Sequence, residues 1–299
     1  MTQSLLTVII PTLADKNRSQ SLLRAIASVV DQKEVPVEVL VVVNGQRFDS
    51  ELVDLLESRS QLRVVKLAPP SLSNARHQGC ASITTPFFSF LDDDDQYLPG
   101  SIQKRLLKLQ ANPDCLMVAS SGFRETEGHQ IVSASNLSLA LKNPYHELAV
   151  NNWMTSCGPI FRSSLVSSNI FRNVPPYHEW TYLAYKLVAL GPFCIVDEPC
   201  YIIHDTPGSL SKSVAYSEAP ANVLREVLKI DLPETARQSV MARLAKAEHN
   251  LASNAISNGL RAKAFMHHIN SLLLPGGLKY ISFSRHLMKF KLGKPIDFS

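Results

Sequence analysis

Residues 86–102 read PFFSFLDDDDQYLPGSI: a short apolar run, four consecutive aspartates and then a turn. The apolar residues 87–91 are typical of a strand that is buried on both faces. Pro99 and Gly100 then break the chain, and Ser101 can cap a helix that carries its apolar residues on one side. Acidic residues at the carboxyl end of a buried parallel strand lie where open α/β sheets bind their ligands. The stretch therefore predicts a strand, a ligand site and a helix, in that order.

The four aspartates, Asp92 to Asp95, repel one another unless something positive lies between them. A hard divalent cation held by carboxylate oxygens would relieve that repulsion. The alternative is a solvated acidic turn, which is the commoner meaning of an acidic run. The apolar strand before the run and the helix after it favour the ligand site.

Strand and helix patterns alternate on both sides of this stretch. Four such alternations without an internal repeat predict a Rossmann-like, mostly parallel α/β sheet flanked by helices. The polar segment 122–152 is interpreted as surface excursions around the site. The predicted strands are residues 6–10, 37–43, 62–67, 87–91, 115–120, 157–162, 193–196 and 200–203.

After about residue 214 the pattern is helical throughout. Three helices are predicted from apolar residues at helical spacing, the third of them around Phe265 and Ile269, and a fourth is predicted over residues 278–292. We therefore place a domain boundary at residue 213, which gives an α/β domain over 1–213 and an α-helical C-terminal extension over 214–299.

Composition narrows the class of protein. With 299 residues, 45% of them apolar, the chain can build a sizeable core, so global disorder is not expected. Its five cysteines are an odd number without a Cys-x-x-Cys pair, which indicates neither a disulfide framework nor a zinc cluster and favours a reducing compartment. We expect no secretory leader and no membrane span, since no run approaches the roughly 20 apolar residues that a span requires.

The ordered set of motifs in this chain resembles the inverting, nucleotide-sugar-dependent glycosyltransferases of family 2, which have the GT-A fold. The resemblance is to the bacterial enzymes of polysaccharide biosynthesis and covers roughly residues 5–212, so the helical extension lies outside it. The matching motifs are VIIPT (8–12), VVVNG (41–45), NARHQG (74–79), FLDDDD (90–95) with the Pro-Gly pair at 99–100, residues 157–161, and HEW (178–180).

The resemblance implies a binding site for the nucleotide-sugar donor. Pro11, Thr12 and the loop after them would lie against the nucleotide base. Asn44 stands where the family usually has an aspartate that binds the base, and an amide keeps base contact while weakening the case for uridine. Arg76 would bind the diphosphate or orient the aspartates, and the alternative is an ordinary helix arginine.

The acidic run corresponds to the Asp-x-Asp motif of the family. Asp92 is implied to face the ribose, and Asp94 with Asp92 to hold Mg²⁺ or Mn²⁺ on the donor's phosphates. Asp93 is implied to contact the donor or to cap the next helix. His204 is a further implied metal or diphosphate contact, and its alternative role is structural.

Inversion requires a base on the acceptor side of the sugar, and in this family a carboxylate at the start of a late helix deprotonates the acceptor hydroxyl. The usual Glu-Asp pair is replaced here by His178-Glu179-Trp180, which leaves the register open by one residue. Glu179 is the candidate base in either register, and His178 is the alternative.

The predicted activity is transfer of a sugar from a nucleotide-diphosphate sugar to a saccharide or lipid-linked saccharide, in surface polysaccharide or glycolipid synthesis. Lys279, Arg285, Lys289 and Lys291 alternate with apolar residues, which predicts a basic amphipathic helix on a membrane surface. That helix would place a cytoplasmic protein at the inner face of the cell membrane, and the alternative is a helix packed on the domain. Nucleic acid is not an expected partner.

Two other functions remain open from the residues. A glycosyltransferase-like module that binds nucleotide without catalysis is kept open by Asn44 and by the unusual sequence around Glu179. Phosphatases of the haloacid-dehalogenase type also carry Asp-x-Asp after an apolar strand, but usually on the first strand of the fold, whereas here it is the fourth.

Overall fold

The computed structural model describes residues 3–68, 70–133, 137–206 and 208–288. The chain forms two compact units that divide between Ser213 and Val214. The first unit is α/β and the second is helical. No helix in the described ranges is long and apolar enough to cross a membrane.

A nine-stranded sheet forms the centre of the first unit. The strands β1 to β4 pair in parallel, β2 with β3, β1 with β2 and β1 with β4. β8 runs antiparallel to β4 and β6, whereas β6 and β9 are parallel. The order is β3-β2-β1-β4-β8-β6-β9-β5, with β7 paired to β6, and this confirms the predicted mostly parallel α/β sheet. The strands are β1 (Leu6–Thr12), β2 (Val37–Asn44), β3 (Leu62–Leu67), β4 (Phe87–Phe90), β5 (Gln96–Tyr97), β6 (Met117–Thr126), β7 (His129–Val132), β8 (Ile160–Arg162) and β9 (Phe193–His204).

Helices cover the sheet, and their apolar spacing sets the face that each one buries. In α1, Leu22, Ala25, Ile26 and Val29 are buried at helical spacing. Ser101 begins α4 and does not cap it, because the N-cap is Gly100 at a φ of 69°, a left-handed conformation that glycine adopts without a Cβ clash. The helices of this unit are α1 (Ser19–Val30), α2 (Ser50–Glu57), α3 (Leu72–Ala81), α4 (Ser101–Gln110), α5 (Ser138–Lys142), α6 (Pro144–Val150) and α7 (Glu179–Leu190).

The sheet departs from the prediction on the side of β6 and β9. The two short strands expected over 193–196 and 200–203 are one strand, β9, and β6 runs on to Thr126 through Gly122. A Cβ at Gly122 would lie 2.2 Å from the ring of Tyr201, so only glycine lets the two strands approach here. The segment 122–152 therefore begins inside the sheet, and only its later part forms the surface helices α5 and α6.

The core under β4 is aromatic. Phe88 stacks on Phe161 with ring centroids 4.9 Å apart, and Phe90 contacts Phe171 at 4.8 Å and Trp180 at 6.1 Å. This packing fixes the end of β4 against the start of α7. All five cysteines are buried and unbridged.

The second unit contains α8 (Val214–Glu218), α9 (Pro220–Val227), α10 (Glu234–Ser257), α11 (Arg261–Leu272), a 3₁₀-helix (Gly277–Phe283) and α12 (Ser284–Met288). Glu248 is fully buried, ion-pairs with Arg225 and accepts a hydrogen bond from the ring of His267. The fourth helix predicted over 278–292 is wrong as one helix, because residues 277–288 form the 3₁₀-helix and α12. Lys289, Lys291 and the rest of the predicted basic helix lie outside the described residues.

Candidate functional site

The acidic run forms a tight turn directly after β4. The Asp95 N–H donates to the Asp92 carbonyl over 3.1 Å, which closes the turn. Asp93 and Asp95 are buried as whole residues and Asp92 and Asp94 are only partly buried, with the side chains of Asp92, Asp94 and Asp93 35%, 15% and 12% exposed. The turn therefore separates the four carboxylates into an inner pair that anchors it and an outer pair, Asp92 and Asp94, that can meet a ligand.

The inner pair is held by specific donors. Asp93 accepts from the Thr12 hydroxyl at 2.6 Å and from Arg18 at 3.0 Å, and Asp95 accepts from the Cys157 thiol and the His204 backbone N–H, both at 3.1 Å. Burial raises the pKa of Asp93 to about 6, and burial also raises the pKa of Asp95 well above its ordinary value. Both carboxyls thus act as structural anchors of the turn.

Arg18 is a residue of the candidate site that the sequence analysis missed. Its Nη1 lies 2.7 Å from Asp94 Oδ2 and 3.0 Å from Asp93 Oδ1, so one guanidinium bridges neighbouring carboxylates. Arg24, on α1, donates to the backbone carbonyl of Asp94 over 2.7 Å. The repulsion within the acidic run was the signal that a positive group must be near, and part of that charge comes from the chain itself.

Arg76 connects the outer carboxylate Asp92 to the start of α7. Its Nη2 is 3.4 Å from Asp92 Oδ1, and its guanidinium carbon is 5.6 Å from the ring centroid of Trp180. Ser156 donates to the other oxygen of Asp92 over 2.6 Å. Arg76 is 4% exposed, and its Nε and the indole N–H of Trp180 are buried without a hydrogen-bond partner among the described residues. Orphaned donors of this kind mark a place where a polar ligand can bind.

Glu179 is the first residue of α7 and is half-buried, next in sequence to Trp180. Tyr177 and His178, which precede it, have φ angles of 61° and 48°. Such left-handed conformations cost non-glycine residues on the order of 1–3 kcal/mol each and cluster at functional sites. The chain thus enters α7 through a strained turn that sets the position of Glu179.

A cavity of about 870 Å³ opens where β1, β2 and β3 end. Asn44 forms part of its wall, and the Oδ1 atom of Asn44 accepts from the Ser71 N–H over 2.7 Å at the start of α3. Pro11 and Thr12 are buried in β1, and only the loop after them reaches the cavity. The lining residues are Leu13, Asp15, Asn44, Gly45, Gln46, Arg47, Ala68 and Pro70.

His204 ends β9 beside the acidic turn. Its Nδ1 is 3.4 Å from Glu125 Oε1 and its Nε2 is 3.3 Å from Gln96 Oε1, so both ring nitrogens face side-chain oxygens. Burial, opposed in part by Glu125, lowers the pKa of His204. The backbone N–H of His204 thus supports the acidic turn through Asp95, and its ring contacts side chains of the neighbouring strands β5 and β6.

The outer carboxylates fit one mode of binding a divalent cation. Among the described residues, no three His, Cys, Asp or Glu side chains are grouped as a metal site. Mg²⁺ in nucleotide sites commonly takes one or two carboxylates and completes its shell with phosphate oxygens and water. Asp92 and Asp94 supply such a pair, although Asp94 already pairs with Arg18.

An α/β sheet that carries its acidic turn and cavity at the carboxyl ends of its strands defines a ligand-binding fold of the nucleotide-binding type. The profile of glycosyl transferase family 2 matches residues 7–169, which is more than half of the chain, and the chain therefore belongs to that family. This confirms the resemblance and gives the phosphatase alternative no support. No curated protein matches the sequence significantly.

Solved structures of TarS from S. aureus have a similar fold. TarS 1-349 in complex with UDP-GlcNAc matches with a TM-score of 0.65 at 17% identity, over 89% of this chain and 79% of that one. TarS 1-349 in complex with UDP matches with a TM-score of 0.59 at 14% identity, over 98% of this chain and 94% of that one. The first unit thus has the predicted GT-A fold.

Proposed function

We propose that this chain moves a sugar from a nucleoside-diphosphate sugar to a hydroxyl group of a saccharide or lipid-linked saccharide, with inversion, in the assembly of surface polysaccharide or glycolipid. The observation that carries the proposal is the position of Arg76, which contacts Asp92 on one side and Trp180 on the other. Arg76 thus connects the acidic turn to the start of α7, which supports a single site that combines the donor with the candidate base Glu179.

The donor nucleotide would occupy the cavity at the ends of β1, β2 and β3. UDP is the first nucleotide to consider, because TarS, which has a similar fold, is in complex with UDP and with UDP-GlcNAc in its crystal structures. Asn44 already uses one lone pair of Oδ1 on Ser71, so it offers the base mainly the donors of its NH₂ group. Leu13, Ala68 and Pro70 add apolar wall, which suits the flat face of a base.

Asp92 and Asp94 would hold Mg²⁺ or Mn²⁺ on the phosphates of the donor. Bound there, such a cation stabilises the negative charge that develops on the departing nucleoside diphosphate. Arg76 is positioned to add a fixed positive charge near the same phosphates, and its unpartnered Nε is free to donate to them. Arg18 neutralises Asp93 and Asp94 until the donor site is filled.

Glu179 would accept the proton of the acceptor hydroxyl. The oxygen then attacks the anomeric carbon from the face opposite the diphosphate, the new glycosidic bond forms as the bond to the diphosphate oxygen breaks, and the configuration inverts. His178 is the alternative base. The strained turn at Tyr177 and His178 supports a role for this segment, because it holds the carboxylate where an unstrained chain would not.

Calorimetric titration with UDP-, GDP-, CMP- and dTDP-sugars, with Mn²⁺ and with chelator, tests the donor site. We expect metal-dependent binding of one nucleotide class and its loss in Asp94→Ala. Asp114→Ala, which removes an exposed carboxylate between α4 and β6, is the matched control. Failure of every nucleotide sugar to bind would contradict the donor site.

Transfer to an acceptor tests the base. With the donor identified, Glu179→Gln should reduce kcat by roughly 10²- to 10⁴-fold while donor affinity stays unchanged, since it removes the base and keeps the shape. His178→Gln should cost much less. If the wild-type protein binds the donor but neither transfers nor hydrolyses it, the chain is an inactive nucleotide-binding module.

The proposed place of action is the cytoplasm at the inner face of the cell membrane, where a lipid-linked acceptor would be available. The sequence predicts that a basic helix in the C-terminal tail contacts the membrane. Tyr280 instead stacks on the ring of His249 with centroids 4.1 Å apart, and Phe283 meets that ring edge-on at 5.0 Å, so these two aromatic residues pack inside the second unit.

A further inference from the structure

Helix α11 exposes its large apolar residues and buries small or polar ones, which is the reverse of an ordinary surface helix. The large apolar residues Phe265, Met266 and Ile269 of α11 and its C-cap residue Leu273 are 57%, 51%, 39% and 80% exposed. At 3.6 residues per turn these four side chains fall within an arc of about 100°. The buried side of the helix carries Ala264, His267, His268 and Ser271, which are small or polar. Core packing of the second unit therefore does not explain why the outer face of α11 is apolar.

Basic residues border this apolar face, and acidic residues are absent from it. Arg261 and Lys263 are exposed one on each side of the stripe, and Lys279 and Arg285 are exposed on the segment that follows α11. The sequence contains no Asp or Glu between Glu248 and Asp297. Leu278 and Ile281, which are 69% and 59% exposed, add further apolar surface next to these cations.

We infer that the outer face of α11, which we call the α11 face and define by Phe265, Met266, Ile269 and Leu273, binds the surface of an anionic lipid bilayer. An apolar stripe with Lys and Arg at its edges is the pattern of interfacial helices, whose apolar side chains enter the headgroup region while the cations meet lipid phosphates. This inference names the residues that would contact the membrane at the location given in the proposed function. It does not depend on the donor site.

The charge of this region argues against a second copy of the chain as the occupant. Pairing the α11 face with itself would bring Arg261, Lys263, Lys279 and Arg285 of two chains together, and the stretch between Glu248 and Asp297 supplies no Asp or Glu to neutralise them. An anionic bilayer complements the same cations, and each basic residue near such a surface strengthens binding by about fivefold.

Sedimentation of the full chain with vesicles tests the apolar part of the inference. We expect binding to vesicles of phosphatidylcholine mixed with phosphatidylglycerol, and a loss of roughly tenfold or more in Phe265→Ser/Leu273→Ser. Both side chains are exposed, so the exchange leaves the fold intact, which circular dichroism checks. Ile131→Ser, at an exposed apolar residue of β7 in the first unit, is the matched control and should bind like the wild type.

A second variant tests the contribution of the basic residues to vesicle binding. Lys263→Glu should weaken binding to the anionic vesicles at least fivefold and leave binding to pure phosphatidylcholine unchanged. Lys246→Glu, on the side of α10 away from its buried residues, is the control.

Equal binding of all variants, or no binding by the wild type, would overturn the inference. A dimer in light scattering that Phe265→Ser/Leu273→Ser abolishes, without vesicle binding, would assign the α11 face to a second copy. None of these readouts uses donor binding or transfer, so this inference and the proposed function can fail separately.

Discussion

At the scale of single residues, Arg18 is a positive charge that already contacts the proposed metal-binding turn. It binds the same Asp94 carboxylate that is proposed to hold Mn²⁺. We expect Arg18→Ala to bind Mn²⁺ roughly tenfold more tightly in the absence of nucleotide, because a competing positive charge beside the carboxylates is removed. Titration of free Mn²⁺ by electron paramagnetic resonance measures this directly.

Arg24→Ala provides the control for Arg18. It removes the same charge from α1, but Arg24 donates to a backbone carbonyl and not to a carboxylate. Its effect on Mn²⁺ affinity should stay within about threefold. Equal gains in both variants would mean that only the general field matters, and weaker Mn²⁺ binding in Arg18→Ala would mean that Arg18 supports the cation.

At this scale, some residues of the candidate site could be predicted from the sequence and others could not. The acidic run, Arg76 and Glu179 were found because they lie in motifs whose order and spacing are visible in the chain. Arg18 was not, because nothing local distinguishes it from Lys16 or Arg24, and only the packing of α1 against β5 and β2 aims it at the aspartates. The division of the aspartates into an inner and an outer pair likewise required the turn itself.

At the scale of elements, α10, α11 and the 3₁₀-helix enclose a histidine pair. His249 stacks on Tyr280 and contacts Phe283 edge to face, and its Nδ1 is buried without a partner among the described residues. Burial, followed by the charge of His268, lowers the pKa of His249. Burial also lowers the pKa of His268. A lowered histidine pKa means that the unfolded chain binds more protons, so stability is complete above the ordinary histidine pKa and falls as the pH drops below it.

His249→Phe tests this dependence. Phenylalanine keeps the stacking but cannot be protonated, so the drop in Tm between about pH 7.5 and about pH 5.5 should shrink, and Tm at the higher pH should rise as a buried unpaired nitrogen disappears. Thermal melts at both values give the measurement. His129→Gln, at an exposed histidine of β7, should melt like the wild type, and an unchanged pH dependence in His249→Phe would contradict the assignment.

The same scale explains which elements the sequence predicted. Strands with continuous apolar runs, such as β1 and β2, were found, because burial on both faces leaves a clear pattern. β9 was divided in two by Asp197, Glu198 and Pro199, which interrupt that pattern although the strand continues. In α11 the apolar spacing correctly predicted a helix, but spacing alone does not say which side faces the core.

At the scale of the whole molecule, the proposed donor site is built from residues of the first unit. We propose that residues 1–213 are an independent domain, because the sheet, the cavity and the contacts described above for the acidic turn lie within them. A chain that ends after Ser213 should bind UDP within about twofold of the full chain, since domains with their own core fold alone. Calorimetry with a melting curve measures both binding and folding. Aggregation or a large loss of affinity would show that the helical extension completes the domain.

The burial of every cysteine has a practical consequence for spectroscopy. Burial raises the pKa of Cys80 and of Cys194 to about 12, and it raises the pKa of Cys157 well above the ordinary thiol value. The reactive thiolate is therefore scarce, and the sulfur atoms are shielded from bulky reagents. Maleimide and nitroxide probes should therefore not react with the native thiols. A cysteine introduced at exposed Ile131 and another at exposed Val214 would then carry a matched label pair for distance measurements, without first replacing any of the five native side chains.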